Sequence, residues 1–242
     1  MEIVGFIPRS TEHWNNKTAA TVFVSSCNYK CRDCVFDRDL IKGKKNRLIR
    51  MEKFFQVLED NLESLDAVVI TGGEATLQGR SLFFFIEELK EANLKVKLVT
   101  NGTQPAILFE LIRNNLVDFV QLKIKTILNQ KKYLKAVQKP PKLSEIKKSL
   151  RILKQSKIDY EITTTFNPEL QSAKDLIVLG KQLGNIKKFV LEEPVITETN
   201  YYDALLRIAK RISLNSSIQE IRIKTSKGEE SVQLKNSLNY LK

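Results

Sequence analysis

Six short β-rich runs alternate along this chain with longer amphipathic segments, and that alternation limits the fold more than any other feature. "ATVFVS" (Ala20 to Ser25), "AVVIT" (Ala67 to Thr71), "KVKLVT" (Lys95 to Thr100), "DFVQLKI" (Asp118 to Ile124), "DYEITTTF" (Asp159 to Phe166) and "KFVLEE" (Lys188 to Glu193) read as strands. Between them, Met51 to Leu65, Ser81 to Ala92, Ala106 to Asn115, Ser144 to Ser156 and Ala173 to Leu183 carry apolar residues at three- and four-residue spacing, which predicts helices. Strands joined through helices run parallel, and a parallel sheet is covered by those helices. Six β-α units in series therefore predict an α/β fold, an open or partial (β/α)6 barrel with its helices outside. The tail after about Tyr201 holds a helical stretch, Asp203 to Ile212, then a strand-like "QEIRIKT". Residues 1–200 are expected to form the core, and residues 201–242 a C-terminal helix and strand appendage of the same domain.

All three cysteines of the 242 residues stand in "SSCNYKCRDCVF", directly after the first predicted strand, where a barrel carries its active-site loops. Three thiols cannot all pair, and their spacing is too tight for a secreted disulfide framework, so a reducing compartment and a metal role are expected. The spacing Cys27-x-x-x-Cys31-x-x-Cys34 lets one short loop direct three thiolates at three irons of a cubane cluster, leaving the fourth iron open to bind and reduce a small molecule. Buried structural cysteines and a zinc site are the alternatives; zinc would need a fourth ligand, and His13 is the one histidine. No apolar run approaches the roughly 18 residues that span a bilayer, and Met1-Glu2-Ile3 does not begin a signal peptide, so a soluble cytoplasmic protein without a membrane partner is expected.

Cys27-x-x-x-Cys31-x-x-Cys34 after the first strand, followed by "VVITGGEATLQ" at the second, resembles the radical S-adenosylmethionine (SAM) superfamily. The likeness extends through "LKVKLVTNGTQPAILFELIRNNLVDFVQLKIK" and "IDYEITTTFNPELQSAKDLIVLGKQL" to the activating proteins of anaerobic ribonucleoside-triphosphate reductase, over roughly residues 1 to 195. The resemblance implies a [4Fe-4S] cluster on Cys27, Cys31 and Cys34, with SAM bound at the open iron and cleaved to a 5′-deoxyadenosyl radical. It also implies a glycyl-radical reductase as protein partner, and a low-potential electron donor such as flavodoxin or ferredoxin. Gly72, Gly73 and Glu74 end the second strand, where glycines let backbone approach a ligand and a carboxylate can accept from the SAM ammonium. Thr100 and Asn101 end the third strand and face the same mouth. Thr163 and Thr165 share one face of the fifth and could reach the ribose. No further side chain is assigned a catalytic role.

Several positions depart from the resembled pattern. Asp33 stands where an aromatic residue usually precedes the third cysteine, with Phe36 as its possible substitute; Ala75 replaces a proline after Gly-Gly-Glu. Lys123 stands in place of an aspartate and Thr163 in place of an arginine, a paired change that would keep the pocket's charge balanced. The formal charge is +12, and Lys123 to Lys148 holds nine lysines against Glu145 alone. Such a stretch suits an acidic protein or a phosphate-bearing molecule. Its one aromatic, Tyr133, makes a base-stacking nucleic-acid platform the weaker expectation. A superfamily enzyme acting on a nucleotide or RNA, and an iron–sulfur protein that no longer cleaves SAM, remain the alternatives.

Overall fold

The computed structural model describes residues 1–34, 48–194 and 200–232. Along the chain these form β1 (Ile3–Ser10), β2 (Ala19–Val24), α1 (Met51–Glu59), β3 (Ala67–Gly72), α2 (Arg80–Glu91), β4 (Lys95–Thr100), α3 (Pro105–Arg113) and β5 (Phe119–Lys123). They continue with α4 (Gln130–Val137), α5 (Leu143–Gln155), β6 (Asp159–Thr165), α6 (Ala173–Leu183), β7 (Lys188–Glu192), α7 (Tyr202–Asn215), β8 (Glu220–Thr225) and β9 (Gly228–Ser231). All six expected strands and all five expected helices are present, each within a few residues of its sequence bounds except the first helix, which stops at Glu59 before a separate turn at Leu62–Ser64. Among the described residues no helix is long and apolar enough to cross a membrane.

Internal contacts divide the chain into two compact units. The first comprises Met1–Lys30, Cys34–Lys123 and Lys142–Tyr160. In it β2, β3, β4 and β5 pair in parallel, and β1 pairs antiparallel with β2. The parallel strands are nearly continuous runs of apolar residues because both their faces are covered: Val68, Val69 and Ile70 of β3 are all buried. In α2, Leu82, Phe85, Ile86 and Leu89 recur on one buried stripe. Phe85 meets Phe54 of α1 with ring centres 5.3 Å apart, and Phe54 in turn meets Phe6 of β1 at 5.4 Å. On another face, Ala19, Ala67 and Val69 pack with Trp14 and Val99, so apolar side chains fill the sheet toward the strand starts. The polar groups described below stand at the strand ends.

The second unit comprises Cys31–Asp33, Ile124–Pro141 and Glu161–Lys242. Here β6, β7 and β8 pair in parallel and β9 turns back antiparallel on β8. The tail's strand thus extends the alternation, since α7 returns the chain to lay β8 beside β7. A capping box starts α6: the Ser172 hydroxyl accepts from the Asp175 N–H while the Asp175 carboxylate accepts from the Ser172 N–H. Gly180 of α6 faces α7 so closely that a Cβ there would lie 2.6 Å from Ile212 Cγ2. Gly180→Leu should therefore lower stability by about 1–3 kcal/mol through overpacking. Chemical denaturation measures it, and an unchanged midpoint would show that α6 and α7 can separate freely.

Candidate active site

The cysteine loop begins at a point where two backbones are nearly in contact. Gly72 has φ of +109°, and a Cβ on it would stand 2.5 Å from the Val24 nitrogen; a Cβ on Gly73 would stand 2.1 Å from the Ser26 oxygen. Only glycine tolerates either place. In the gap, Gly73 N–H donates to the Val24 carbonyl at 2.9 Å and Glu74 N–H to the Ser26 carbonyl at 2.8 Å. The Gln78 amide donates to the Ser25 carbonyl at 3.1 Å, and Ser25 N–H donates to the Glu2 carbonyl at 2.9 Å. The Ser25 hydroxyl also donates to the Glu2 carboxylate. The stem leading into Cys27 is therefore fixed from both sides by main-chain bonds.

Glu74 is buried, 1% exposed, and its carboxylate faces protein donors. Oε1 accepts from the Thr76 N–H and hydroxyl and from the Thr100 hydroxyl, at 3.3, 2.5 and 2.6 Å; Oε2 accepts from the Asn101 N–H at 2.6 Å. Burial pushes its pKa above the ordinary carboxylate value, although the hydrogen bonds from Thr100, Thr76 and Asn101 pull the other way. In this structure Glu74 ties the end of β3 to the end of β4, and Thr100 is part of that tie. Asn101 carries the connection onward: its Nδ2 donates to Asn28 Oδ1 at 2.9 Å, while its Oδ1 accepts from the Thr103 hydroxyl at 2.7 Å. Asn28 Nδ2 in turn donates to Thr103 Oγ1 at 2.8 Å. Asn28 lies between Cys27 and Cys31, so the network from Glu74 ends on the cysteine loop. Asn28, Thr76 and Thr103 stand inside the quoted stretches, one or two places from the residues assigned there, and that proximity was their only signal in the sequence.

In the second unit, three contacts hold the segment Cys31–Asp33. Arg32 N–H donates to the Ala136 carbonyl at 3.0 Å, its guanidinium reaches Glu169 at 3.4 Å, and Asp33 Oδ2 accepts from Lys125 Nζ at 3.3 Å. Burial pulls the Lys125 pKa down, but Asp33, Cys31 and Glu192 together raise it above the ordinary lysine value. The Thr165 hydroxyl donates to Glu192 Oε2 at 3.0 Å across the paired strands β6 and β7. Thr163 is buried, and its carbonyl accepts from the Ile124 N–H at 2.9 Å. Lys123 is half-buried at the end of β5. The charge compensation on view here is thus Asp33 with Lys125, and Lys125 was not singled out in the sequence. Phe36 lies outside the described residues.

Cys27, Cys31 and Cys34 are half-buried and not joined in disulfides. Among the described residues no three His, Cys, Asp or Glu side chains are gathered as ligands of a single ion. Thiolates that each hold a different iron of one cubane stand farther apart than ligands sharing one ion, and three soft sulfur donors on one loop suit iron–sulfur chemistry. The donor set fits such a cluster.

Residues 21–172 match the family model of the radical SAM superfamily. A Methanocaldococcus jannaschii protein whose name proposes it as a glycyl-radical enzyme activating enzyme is 28% identical over 193 residues, covering 79% of each chain. Among solved structures, Streptococcus suis SuiB bound to the precursor peptide SuiA superimposes with a TM-score of 0.63 at 15% identity, covering 85% of this chain and 48% of that one. The structure of anSMEcpe with bound AdoMet gives 0.59 at 19% identity, covering 82% and 61%. These likenesses show the α/β fold of parallel strands and helices that such partial barrels share.

Two outcomes test the geometry. Gly73→Ala should destabilise the protein by about 1–3 kcal/mol and lower its iron content after reconstitution, because the added methyl group displaces Ser26 and with it the loop stem. Glu74→Gln tests the buried carboxyl. A raised folded pKa means that wild type takes up the proton more readily when folded, so its stability falls as pH rises from 4.5 through the folded value. The glutamine variant does not titrate. The melting-temperature difference, variant minus wild type, should increase over that window, and a flat difference would show that burial does not disfavour the carboxylate.

Proposed function

This chain belongs to the radical SAM superfamily, and on that premise we propose that it activates a glycyl-radical enzyme, in particular an anaerobic ribonucleoside-triphosphate reductase. The superfamily uses a [4Fe-4S] cluster and SAM. When bound, the cluster supplies one electron that cleaves SAM to methionine and a 5′-deoxyadenosyl radical, which takes a hydrogen atom from a glycine of the partner. The observation that carries the reading is the three-thiol loop, which holds every cysteine of the chain and whose stem is laced to Gly72-Gly73-Glu74 at the end of β3. The name of the M. jannaschii relative supports the activating role.

In this reading Cys27, Cys31 and Cys34 hold the cluster, and the fixed stem sets their starting point. Gly72 and Gly73 present main-chain groups to the methionyl end of SAM. Glu74, already committed to Thr76, Thr100 and Asn101, orients that backbone. Thr163 and Thr165, on β6, would contact the ribose. Residues 1–200 form the superfamily core, with residues 201–242 as its extension, and a flavodoxin or ferredoxin supplies the electron.

A partner's glycine loop must come within van der Waals range of the radical, so the reductase has to dock on this chain. The lysine-rich stretch is the surface for it. Of the three lysines in α4, Lys132 pairs with Asp175, and Lys135 donates to the Glu169 carbonyl at 3.1 Å. Lys131 and Lys139 are exposed cations of the same segment. They form its steering surface toward an acidic partner.

The direct test is anaerobic reconstitution. The protein should hold ~4 irons per chain and, with a low-potential reductant, convert SAM to 5′-deoxyadenosine and methionine. Mixed with its cognate reductase, it should produce a glycyl-radical signal in electron paramagnetic resonance. One bound zinc and no colour would overturn the reading; SAM cleavage stimulated by RNA or a nucleotide, with no reductase activated, would transfer it to the alternative substrate. The double variant Lys131→Glu/Lys139→Glu should slow activation of the reductase and weaken its dependence on salt, leaving uncoupled SAM cleavage intact. Activation at the wild-type rate at low salt would show that these lysines are only a solvated face.

A further inference from the structure

The Asp33–Lys125 pair couples the cysteine loop to the segment that follows β5. Both side chains are largely withdrawn from water, 11% and 19% exposed, and they meet at 3.3 Å. Asp33 is covalently next to Cys34, and Lys125 lies close enough to Cys31 to feel its charge. The lysine is itself held: its N–H donates to the hydroxyl of Tyr133, a fully buried residue of α4, at 3.3 Å. The Ala136 carbonyl of the same helix receives the Arg32 N–H. Helix α4 therefore anchors the second half of the cysteine loop at two points, one of them through Lys125. Glu192, engaged by Thr165, adds a smaller contribution that also raises the Lys125 pKa.

We propose that Lys125 and Asp33 form a positioning pair for the iron–sulfur site, in which the partly buried cation offsets the carboxylate beside Cys34 and so sets the reduction potential of the cluster. The assignment rests on Cys27, Cys31 and Cys34 being the cluster's ligands. A carboxylate next to a thiolate-ligated cluster disfavours the added electron, and a cation favours it; both effects are strong where water is excluded. The two charges nearly cancel as a pair, so removing either one exposes the other. A contact that only braced the loop would have no such sign.

The test is a redox titration of the reconstituted cluster, followed by its visible absorption and paramagnetic signal, with iron content measured in parallel. Asp33→Asn should shift the midpoint to higher potential and Lys125→Gln to lower potential. Asp33→Asn/Lys125→Gln should return it close to wild type, and Lys125→Arg should keep it there. Shifts of the same sign, or none, with iron retained would overturn the pair's electrostatic role. If either single variant fails to hold iron, the exchanged pair Asp33→Lys/Lys125→Asp decides: it keeps the attraction but places the cation beside Cys34, so the midpoint should rise, and an unmoved midpoint overturns the proposal. A wild-type protein that binds no cluster overturns the ligand assignment beneath it, which iron analysis distinguishes from a cluster whose potential ignores the pair.

Discussion

Two backbones meet at the end of β3 with no room for a side chain between them, and the rest of the site is built outward from that contact. Because Gly72 and Gly73 lack Cβ atoms, Val24 and Ser26 can accept from the N–H groups of Gly73 and Glu74. The bonds continue the parallel pairing of β2 with β3 past the last paired strand residues, Val24 and Gly72. They fix where the cysteine loop departs, and they fix where the Glu74 side chain begins. From there the carboxylate draws in Thr76, Thr100 and Asn101, and Asn101 reaches Asn28 inside the loop. A lengthening of the first contact by one methyl group would propagate through each later bond.

A buried carboxylate with four protein donors is a costly element unless its position matters. Its raised pKa shows that the donors do not fully offset desolvation. What the arrangement supplies is rigidity: two strand ends and a loop are held through one group that accepts from four donors. Asn28, Asn101 and Thr103 then exchange bonds among themselves, and this kind of satisfied polar network specifies a single loop conformation. Thiols on a loop fixed in this way do not have to be collected from a flexible chain when metal arrives.

The sequence made the scaffold legible because period and composition agree in its buried strands and amphipathic helices. β3 is apolar throughout, and α2 buries Leu82, Phe85, Ile86 and Leu89 at helical spacing. Elements that escaped detection have weaker local signals. The eight residues of α4, QKKYLKAV, are mostly polar and bury only Tyr133, Ala136 and Val137, and a proline pair follows at 140–141. The strand β1 carries proline and arginine near its end and gains its order from antiparallel pairing with β2. In the site, motif residues could be named, but their partners could not. Nothing in "LKIK" distinguishes Lys123 from Lys125 until the fold brings Asp33 to one of them.

The lysine-rich segment shows why charge counted along a sequence is not charge available to a partner. Its nine lysines read as one basic surface. The fold divides them: Lys125 is paired with Asp33, Lys132 is paired with Asp175, Lys148 lies beside Glu145, and Lys131 and Lys139 remain exposed. The same helix that offers Lys131 to solvent also holds Arg32 through Ala136 and Lys125 through Tyr133. Its outer face can therefore change without disturbing the cysteine loop, whereas its inner face cannot. Steering by long-range charge needs only the outer positions, since such attraction depends on net charge and distance more than on fixed geometry. The placement of Cys31 depends on the inner ones, where a hydrogen bond lost in a water-poor site has no solvent to replace it.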